Sequence, residues 1–569
     1  MKRIVSVTVL CIGLLSSTVS AANYQKIIPV DSQIYEMVDA LYAEVGYAPA
    51  VMSYPVTVGE LKDVISYIPE RDLSSEGKEL LRQVRMLCSP EEMSEKTFRG
   101  SVGFEPALEF YIHQDEVNYD EETDWIYDYD SRKPLVTIPL EAFMTDYIYS
   151  ETDLVVLKTR YSYNNSTGVT DSTEIFSPKF SFNNPFDESL VNHVDLNFPE
   201  RAVASAGFDR INVTIGRDDL KWGTGNTGTL TVGDHLDYYD FVKFSTYHEN
   251  FKYTYMISGF DSPSWISANQ NSTVDDDDTS FSDSSDNLKM YVAHRGEFRL
   301  FDKRVTLAVT EAMMYQTSAV DFRYLNPSMF YHNLFIRGNG NSTLAFELNV
   351  NPYRYVNVYG NVVLDEFPYP GEDQSSSGAH PTGIGQQYGV EGVYPLGKGY
   401  ISAFIEYVHT DPYLYLRDSV DYIVNRRIFN METGFSIKKN FLGYEYGNDT
   451  IVVAAGVDYW VADSFTGSLS VTYKLHGETN IDSAWGKGPD HVNRETPYDD
   501  PSTPNLTVEE SLKVSAGTQL YPFRSSRSKH LRNISLMGQV DFISHENKDN
   551  EVGLDTFDIQ LILGAGWKL

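Results

Sequence analysis

The sharpest chemistry the chain offers is Gly223-Thr224-Gly225-Asn226-Thr227-Gly228, a G-x-G-x-x-G spacing. In that spacing backbone amides can cradle the pyrophosphate of a dinucleotide. The cradle needs a strand before the glycines and a helix after them, because the helix N-terminus carries the partial positive charge. A strand-like run from Ile211 precedes the glycines, but Thr229-Leu-Thr-Val-Gly-Asp-His235 follows with no helical apolar period. The glycines therefore read as conformational freedom where a strand becomes a loop or passes close to other backbone. Arg217 and Trp222 are expected to brace that passage, and Tyr238-Tyr239 to begin the next strand.

Other catalytic patterns are missing. The twelve histidines form no His-Glu-x-x-His pair and no Cys/His cluster, and no Gly-x-Ser-x-Gly elbow occurs. No enzyme, no catalytic residues and no cofactor are expected. Asp275, Asp276, Asp277 and Asp278 are a weak candidate for Ca²⁺, which takes several carboxylate oxygens. They lack EF-hand spacing, and a solvated acidic loop is the plainer alternative. Trp222, Tyr238, Tyr239, Trp265 and Trp485 offer flat faces on which a sugar ring could stack. Trp222, Tyr238, Tyr239 and Trp485 are the candidate sugar contacts; their alternative is a place in an interfacial girdle or in packing.

The elements that must position these residues begin with an export signal. Met1-Lys2-Arg3, the apolar run Ile4 to Leu15 and Val19-Ser20-Ala21 make residues 1–21 a signal peptide. Cys11 leaves with it, so Cys88 is expected to be a buried structural thiol. With 45 basic against 80 acidic residues the net charge is -35, which disfavours nucleic acid as a partner. The 40 Tyr and 30 Phe suit the aromatic girdles of an outer-membrane barrel. A mean hydropathy of -0.33 is compatible with that, since only alternate strand residues meet lipid.

Residues 22–97 read as a periplasmic helical region. Ile34, Met37, Val38, Leu41 and Val45 lie on one helix face that Gly46 ends. Thr57-Val-Gly-Glu60 is a capping box before Leu61, Val64, Ile65 and Ile68, and Ser75 to Cys88 forms a third helix. From Phe98 the period becomes two. Strands are expected at Ser101 to His113, Leu135 to Tyr149 and Asp153 to Tyr163, and clear hairpins turn at Phe301 to Arg304, Asn351 to Tyr353 and Pro395 to Lys398. Long acidic segments alternate with these short turns, the parity of a bacterial barrel. An additional strand within Tyr413 to Val424 keeps the count even. The fold class is an all-β membrane protein: residues 98–569 form a large antiparallel transmembrane β-barrel of about 18 strands, or 20, closed by Thr556 to Leu569.

Four segments in order resemble the Wzi-like capsule-assembly outer-membrane proteins. They are Gly216-Arg217 with Trp222-Gly223-Thr-Gly225; Leu325-Asn326-Pro327 with Gly340-Asn341; Tyr359-Gly360 with Asp365-Glu366-Phe367; and Leu442-Gly443 with Gly447 and Asp449. The resemblance implies an 18-stranded barrel with a periplasmic helical bundle that retains capsular or extracellular polysaccharide at the surface, lectin-like and without catalysis. The expected partners are outer-membrane lipid, a surface polysaccharide and Ca²⁺ bridging the acidic loops, around a monomer in the outer membrane of a diderm bacterium. A porin or uptake channel, a barrel hydrolase and an adhesin are the rival readings.

Overall fold

The computed structural model describes residues 24–89, 98–115, 117–119, 124–127, 131–156, 161–164, 169–172, 180–182, 201–260, 288–317, 322–331, 340–366, 381–417, 420–430, 434–462, 464–483, 502–528 and 530–569. Three helices precede the sheet: α1 (Ile34–Val45), α2 (Val58–Ser66) and α3 (Ser75–Leu87). Each forms where its sequence supplies an end. Gly46 takes the left-handed φ of 84° that closes α1. The Thr57 side chain accepts the Glu60 N–H at 3.1 Å, and Ser74 accepts that of Gly77 at 2.9 Å. Leu41, Leu61, Leu81 and Val84 form a common core, and Cys88 joins it. Burial pushes the Cys88 thiol up to about 12, so it is an inert packing group.

The sheet has twenty strand segments. Phe98–Val102 and Glu105–His113 are one strand, β1, interrupted at Gly103-Phe104, and Phe180–Phe182 is a short piece against Phe110 to Ile112. Eighteen strands remain, and they close into a barrel. After β1 come β2 (Val136–Met144), β3 (Ile148–Val156), β4 (Arg201–Phe208), β5 (Ile211–Asp218), β6 (Tyr239–His248) and β7 (Phe251–Phe260). Then follow β8 (Leu288–Leu300), β9 (Val305–Thr317), β10 (Gly340–Tyr353), β11 (Val356–Glu366), β12 (Gly383–Leu396) and β13 (Gly399–Thr410). The series ends with β14 (Thr450–Val461), β15 (Phe465–His476), β16 (Glu509–Leu520), β17 (Ile534–Glu546) and β18 (Thr556–Trp567). Neighbours are antiparallel throughout, and Gln560 to Gly566 of β18 pair with Ala107 to His113 of β1 to close the ring. Tight turns such as 209–210, 249–250 and 397–398 lie at one end together with the longer connection 521–533, and the other long connections lie at the opposite end.

Several expectations need correction. The strand expected over Asp153 to Tyr163 is instead the end of β3 at Val156 and a separate hairpin of Tyr161–Asn164 with Val169–Ser172. The turn expected at Asn351 to Tyr353 falls at Arg354-Tyr355 because β10 continues to Tyr353. The strand expected over Leu135 to Tyr149 is divided: Thr145 adopts φ 56° and a turn separates β2 from β3. Tyr413 to Val424 supplies no barrel strand. Tyr413, Leu414, Tyr415 and Leu416 are all buried, so no two-faced alternation exists, and Tyr415 has φ 70°. The segment leads instead into a separate hairpin, Ile423–Asn430 with Gly434–Phe441.

Along the barrel strands apolar residues such as Val213, Ile215, Leu469 and Phe542 face outward and exposed, while their neighbours point into the lumen. Many inward groups are charged. Buried Arg295 makes a two-pronged bond to Glu347 at 2.6 and 2.7 Å and reaches Glu297 at 3.1 Å. Arg295→Leu strands the Glu347 carboxylate and is expected to cost about 3–5 kcal/mol. The check is the temperature at which the folded band disappears on an SDS gel; Arg295→Leu/Glu347→Leu should recover much of the loss.

Candidate functional site

The lumen is entered from both ends. From the short-turn end, residues 48–57 between α1 and α2 rise as a strap. Its backbone carbonyls are held by inward cations and hydroxyls: Arg299 donates to Ala50 O at 2.6 Å, Lys252 to Ser53 O at 3.2 Å, Lys243 to Pro55 O at 2.6 Å and Thr306 to Pro49 O at 3.0 Å. Ser53 donates to Glu297 at 2.5 Å, and Lys252 is ion-paired with Glu60 of α2 at 2.5 Å. These buried charges are the condition for an irregular segment to lie inside the barrel, because each buried carbonyl needs a donor.

From the long-loop end, residues 219–238 between β5 and β6 descend to meet the strap. Lys221-Trp222 pair with Ser53-Tyr54 as a two-stranded antiparallel ladder, and the Gly223 N–H donates to Met52 O at 2.8 Å. Gly223 adopts φ 117°, a conformation that favours glycine. A Cβ on Gly225 would lie 2.1 Å from Gly228 O. The glycine-rich turn then does cradle an anion. The N–H groups of Asn226 and Thr227 each donate at 2.9 Å to the two oxygens of Glu406, an inward residue of β13, and Tyr359 and the Thr227 hydroxyl complete the shell. Asn349 and Asn361 hold Thr224 from the wall. The G-x-G-x-x-G spacing has the anion-binding geometry, and the protein fills it with its own carboxylate.

A roof formed by residues 413–416, 422–424 and 441–449 covers this plug. The Asp365 carboxylate accepts the Tyr415 N–H at 2.9 Å, and the Tyr415 hydroxyl donates to Leu230 O at 2.7 Å. The Gly233 N–H donates to Leu442 O at 2.9 Å. A Cβ on Gly443 would meet Leu230 O at 2.5 Å, so the two backbones touch where glycine alone permits it. Trp222, Leu230, Val232, Tyr239, Leu414 and Tyr444 share one apolar cluster inside the barrel. On the opposite side of the lumen the wall is different: inward Ser470, Thr472, Ser511, Ser515 and Gln519 of β15 and β16 are half-buried.

These positions decide the candidate contacts. Trp222 is 0% exposed and Tyr239 1%, so neither presents a face to a sugar. Trp222 is the centre of the plug, and the Tyr239 hydroxyl donates to Gly233 O at 2.7 Å. Tyr238 is half-buried, its ring between the guanidinium groups of Arg217 at 3.8 Å and Arg426 at 4.3 Å. Arg217 also holds Asp240 by two bonds of 2.8 Å, and Gly216 beside it would place a Cβ 2.2 Å from Ala202 O. The structure brings Gly223, Gly225, Asp365 and Gly443 together at the plug and roof, with Gly447 (φ 73°) beside Phe441. Asn326 and Pro327 lie elsewhere, on the outside wall. Glu366 ends β11. Trp265, Trp485, Phe367 and Asp275 to Asp278 lie outside the described residues. Among the described residues no group of His, Cys, Asp or Glu could hold a metal ion. Sequence reasoning missed Glu406, Lys243, Lys252 and Arg299; their signal was a full charge on the inward phase of an alternating strand.

No family model matches the chain, and no curated protein matches it by sequence. By fold it is similar to Wzi of Escherichia coli, described as an outer-membrane protein involved in group 1 capsule assembly and a carbohydrate-binding β-barrel. The TM-score is 0.53 at 12% identity, over 95% of this chain and 99% of that one. The chain has the Wzi fold. OprD of Pseudomonas aeruginosa gives a TM-score of 0.40 at 7% identity, over 83% of this chain and 94% of that one.

Two outcomes follow from the plug and roof. Glu406→Ala removes the acceptor of two N–H groups, those of exposed Asn226 and half-buried Thr227, and is expected to cost the plug about 2 kcal/mol; proteases should then cut within 219–238 in the otherwise folded barrel. The second concerns Asp449, where the roof meets β14. Its carboxylate accepts the N–H groups of Thr479 at 3.2 Å and Asn505 at 3.1 Å. Burial pushes this carboxyl up to about 7, with Asp411 adding to the effect. The folded protein therefore keeps a proton that the unfolded chain releases near the ordinary value of 3.8. This stabilisation is full below about pH 4 and is lost as the pH rises through about 7. Unfolding temperature measured from pH 4 to 8 should fall across that window, and Asp449→Asn should flatten the fall.

Proposed function

We propose that this barrel attaches or assembles capsular or extracellular polysaccharide at the surface of the outer membrane, as a lectin-like protein without catalysis. The observation that carries the reading is the plugged lumen: a strap from one end and a loop from the other pair inside it, beneath a roof. An eighteen-strand barrel built for diffusion leaves an aqueous channel, whereas here the volume between β5 and β14 is occupied by apolar side chains. That leaves the long-loop surface as the face available for a partner. The fold shared with a carbohydrate-binding barrel supports the same assignment. Tyr238, with Arg217 and Arg426 against its ring, is the remaining described aromatic among the proposed sugar contacts. Bridging by Ca²⁺ would let the strongly acidic chain hold an acidic polymer, while a neutral polymer needs no bridge.

Deletion of the gene should leave polymer synthesis intact and release polymer into the medium; normal retention would sink the proposal. In planar bilayers the intact protein should show little steady conductance. Replacing residues 223–236 by a short linker should raise it roughly tenfold or more, as expected for an unplugged barrel of this width. A large steady conductance in the intact protein would favour the channel reading, for which the half-buried serines of β15 and β16 supply a polar path.

A further inference from the structure

The connection between β9 and β10 does something the other described long connections do not. Residues 322–331 fold back down the outside of the barrel. They cover outward side chains of β7, β8 and β9, among them Tyr255, Val292 and Met313, the last two fully buried although they face away from the lumen. Beneath them lies an outward pair that lipid would not tolerate: His294 Nε2 and Glu311 Oε2 are 2.7 Å apart, 13% and 10% exposed. Tyr331 stands over the His294 ring at 5.2 Å and Phe330 at 6.3 Å. His294 is six residues along β8 from its short turn, about 15 Å up the wall at ~3.3 Å per residue and a tilt of ~40°, inside an apolar band of about 25 Å.

Irregular backbone survives at that depth only if its polar groups find partners in the protein. Here they do. The Tyr253 hydroxyl donates to Pro327 O at 2.7 Å, and the hydroxyls of Tyr255 and Tyr331 donate to Tyr324 O at 3.2 and 3.1 Å. Asn326 closes the turn, its side chain accepting the Ser328 N–H and its carbonyl the Met329 N–H, each at 3.0 Å. Facing away from the barrel, Phe322 is 83% exposed and Phe330 72%.

We propose that residues 322–331 are a membrane-embedded cover: their outer face, through Phe322 and Phe330, contacts lipid acyl chains, and their inner face seals the His294–Glu311 pair from the hydrocarbon. The outward wall on either side already presents apolar side chains such as Phe298 and Phe346, so the cover continues a lipid-facing surface. The Asn326-Pro327 pair supplies the turn and the carbonyl by which the cover grips the wall.

The test uses the full chain with Cys11→Ser and Cys88→Ser, reconstituted in phospholipid vesicles and spin-labelled at Phe330→Cys. Phe346→Cys on the outer wall serves as the lipid reference and Phe301→Cys in a short turn as the aqueous one. The label at 330 should resemble 346, relaxed by oxygen and shielded from a water-soluble nickel chelate; a label at 330 as accessible to nickel as that at 301 overturns the proposal. In addition, replacing 323–330 with a glycine-serine link should lower the unfolding temperature of the natural barrel. The same excision should cost measurably less in His294→Leu/Glu311→Leu, where no polar pair needs sealing. An equal loss in both backgrounds overturns the covering role.

Discussion

A closed barrel of eighteen strands is wider than its own inward side chains can fill. Whatever fills it must be polypeptide whose every buried N–H and C=O finds a partner. The structure depends on how that demand is met. The strap of 48–57 and the loop of 219–238 satisfy part of it through each other, along the short ladder of Ser53-Tyr54 with Lys221-Trp222. The barrel wall satisfies more, with Arg299, Lys252 and Lys243 aimed at strap carbonyls and Glu406 at loop amides. Apolar packing around Trp222 then fills the lumen on the side between β5 and β14. A purely apolar lumen could not have accepted either insert.

Much of this architecture was legible in the residues. Alternation after Phe98 announced strands, the turn at Phe301 to Arg304 was placed correctly, and the caps at Gly46 and Thr57 set helix ends where the structure has them. Local signals succeed where local groups satisfy each other. The plug was illegible for the opposite reason: Glu406 lies 180 residues from Asn226, and no window along the chain contains both. The glycine pattern was right about anion geometry and silent about which anion. Trp222 and Tyr239 misled because an aromatic beside a loop looks the same in sequence whether the loop leaves the barrel or enters it. Tyr413 to Leu416 misled because a wholly buried apolar run can be a strand or a folded-in roof.

The outer wall teaches a related point. His294 and Glu311 sit on the outward phase of β8 and β9, opposite each other in the register. In a lipid-facing barrel that placement is a local contradiction, and it is resolved only by a segment from beyond β9. A charged pair on the apolar phase of two neighbouring strands is therefore a readable sign that something covers them. The Leu325-Asn326-Pro327 segment lies in that cover, where Pro327 O accepts the Tyr253 hydroxyl from the wall.

The ladder inside the lumen has a mechanical side. The strap is continuous with α1 and α2 at one mouth, and the loop it pairs with is bonded to the roof at the other. A pull applied to the roof is therefore borne by a column of hydrogen bonds and ion pairs running through the barrel to the helical core, in parallel with the strands themselves. The two mouths are tethered to each other, and neither can yield to tension without loading the other.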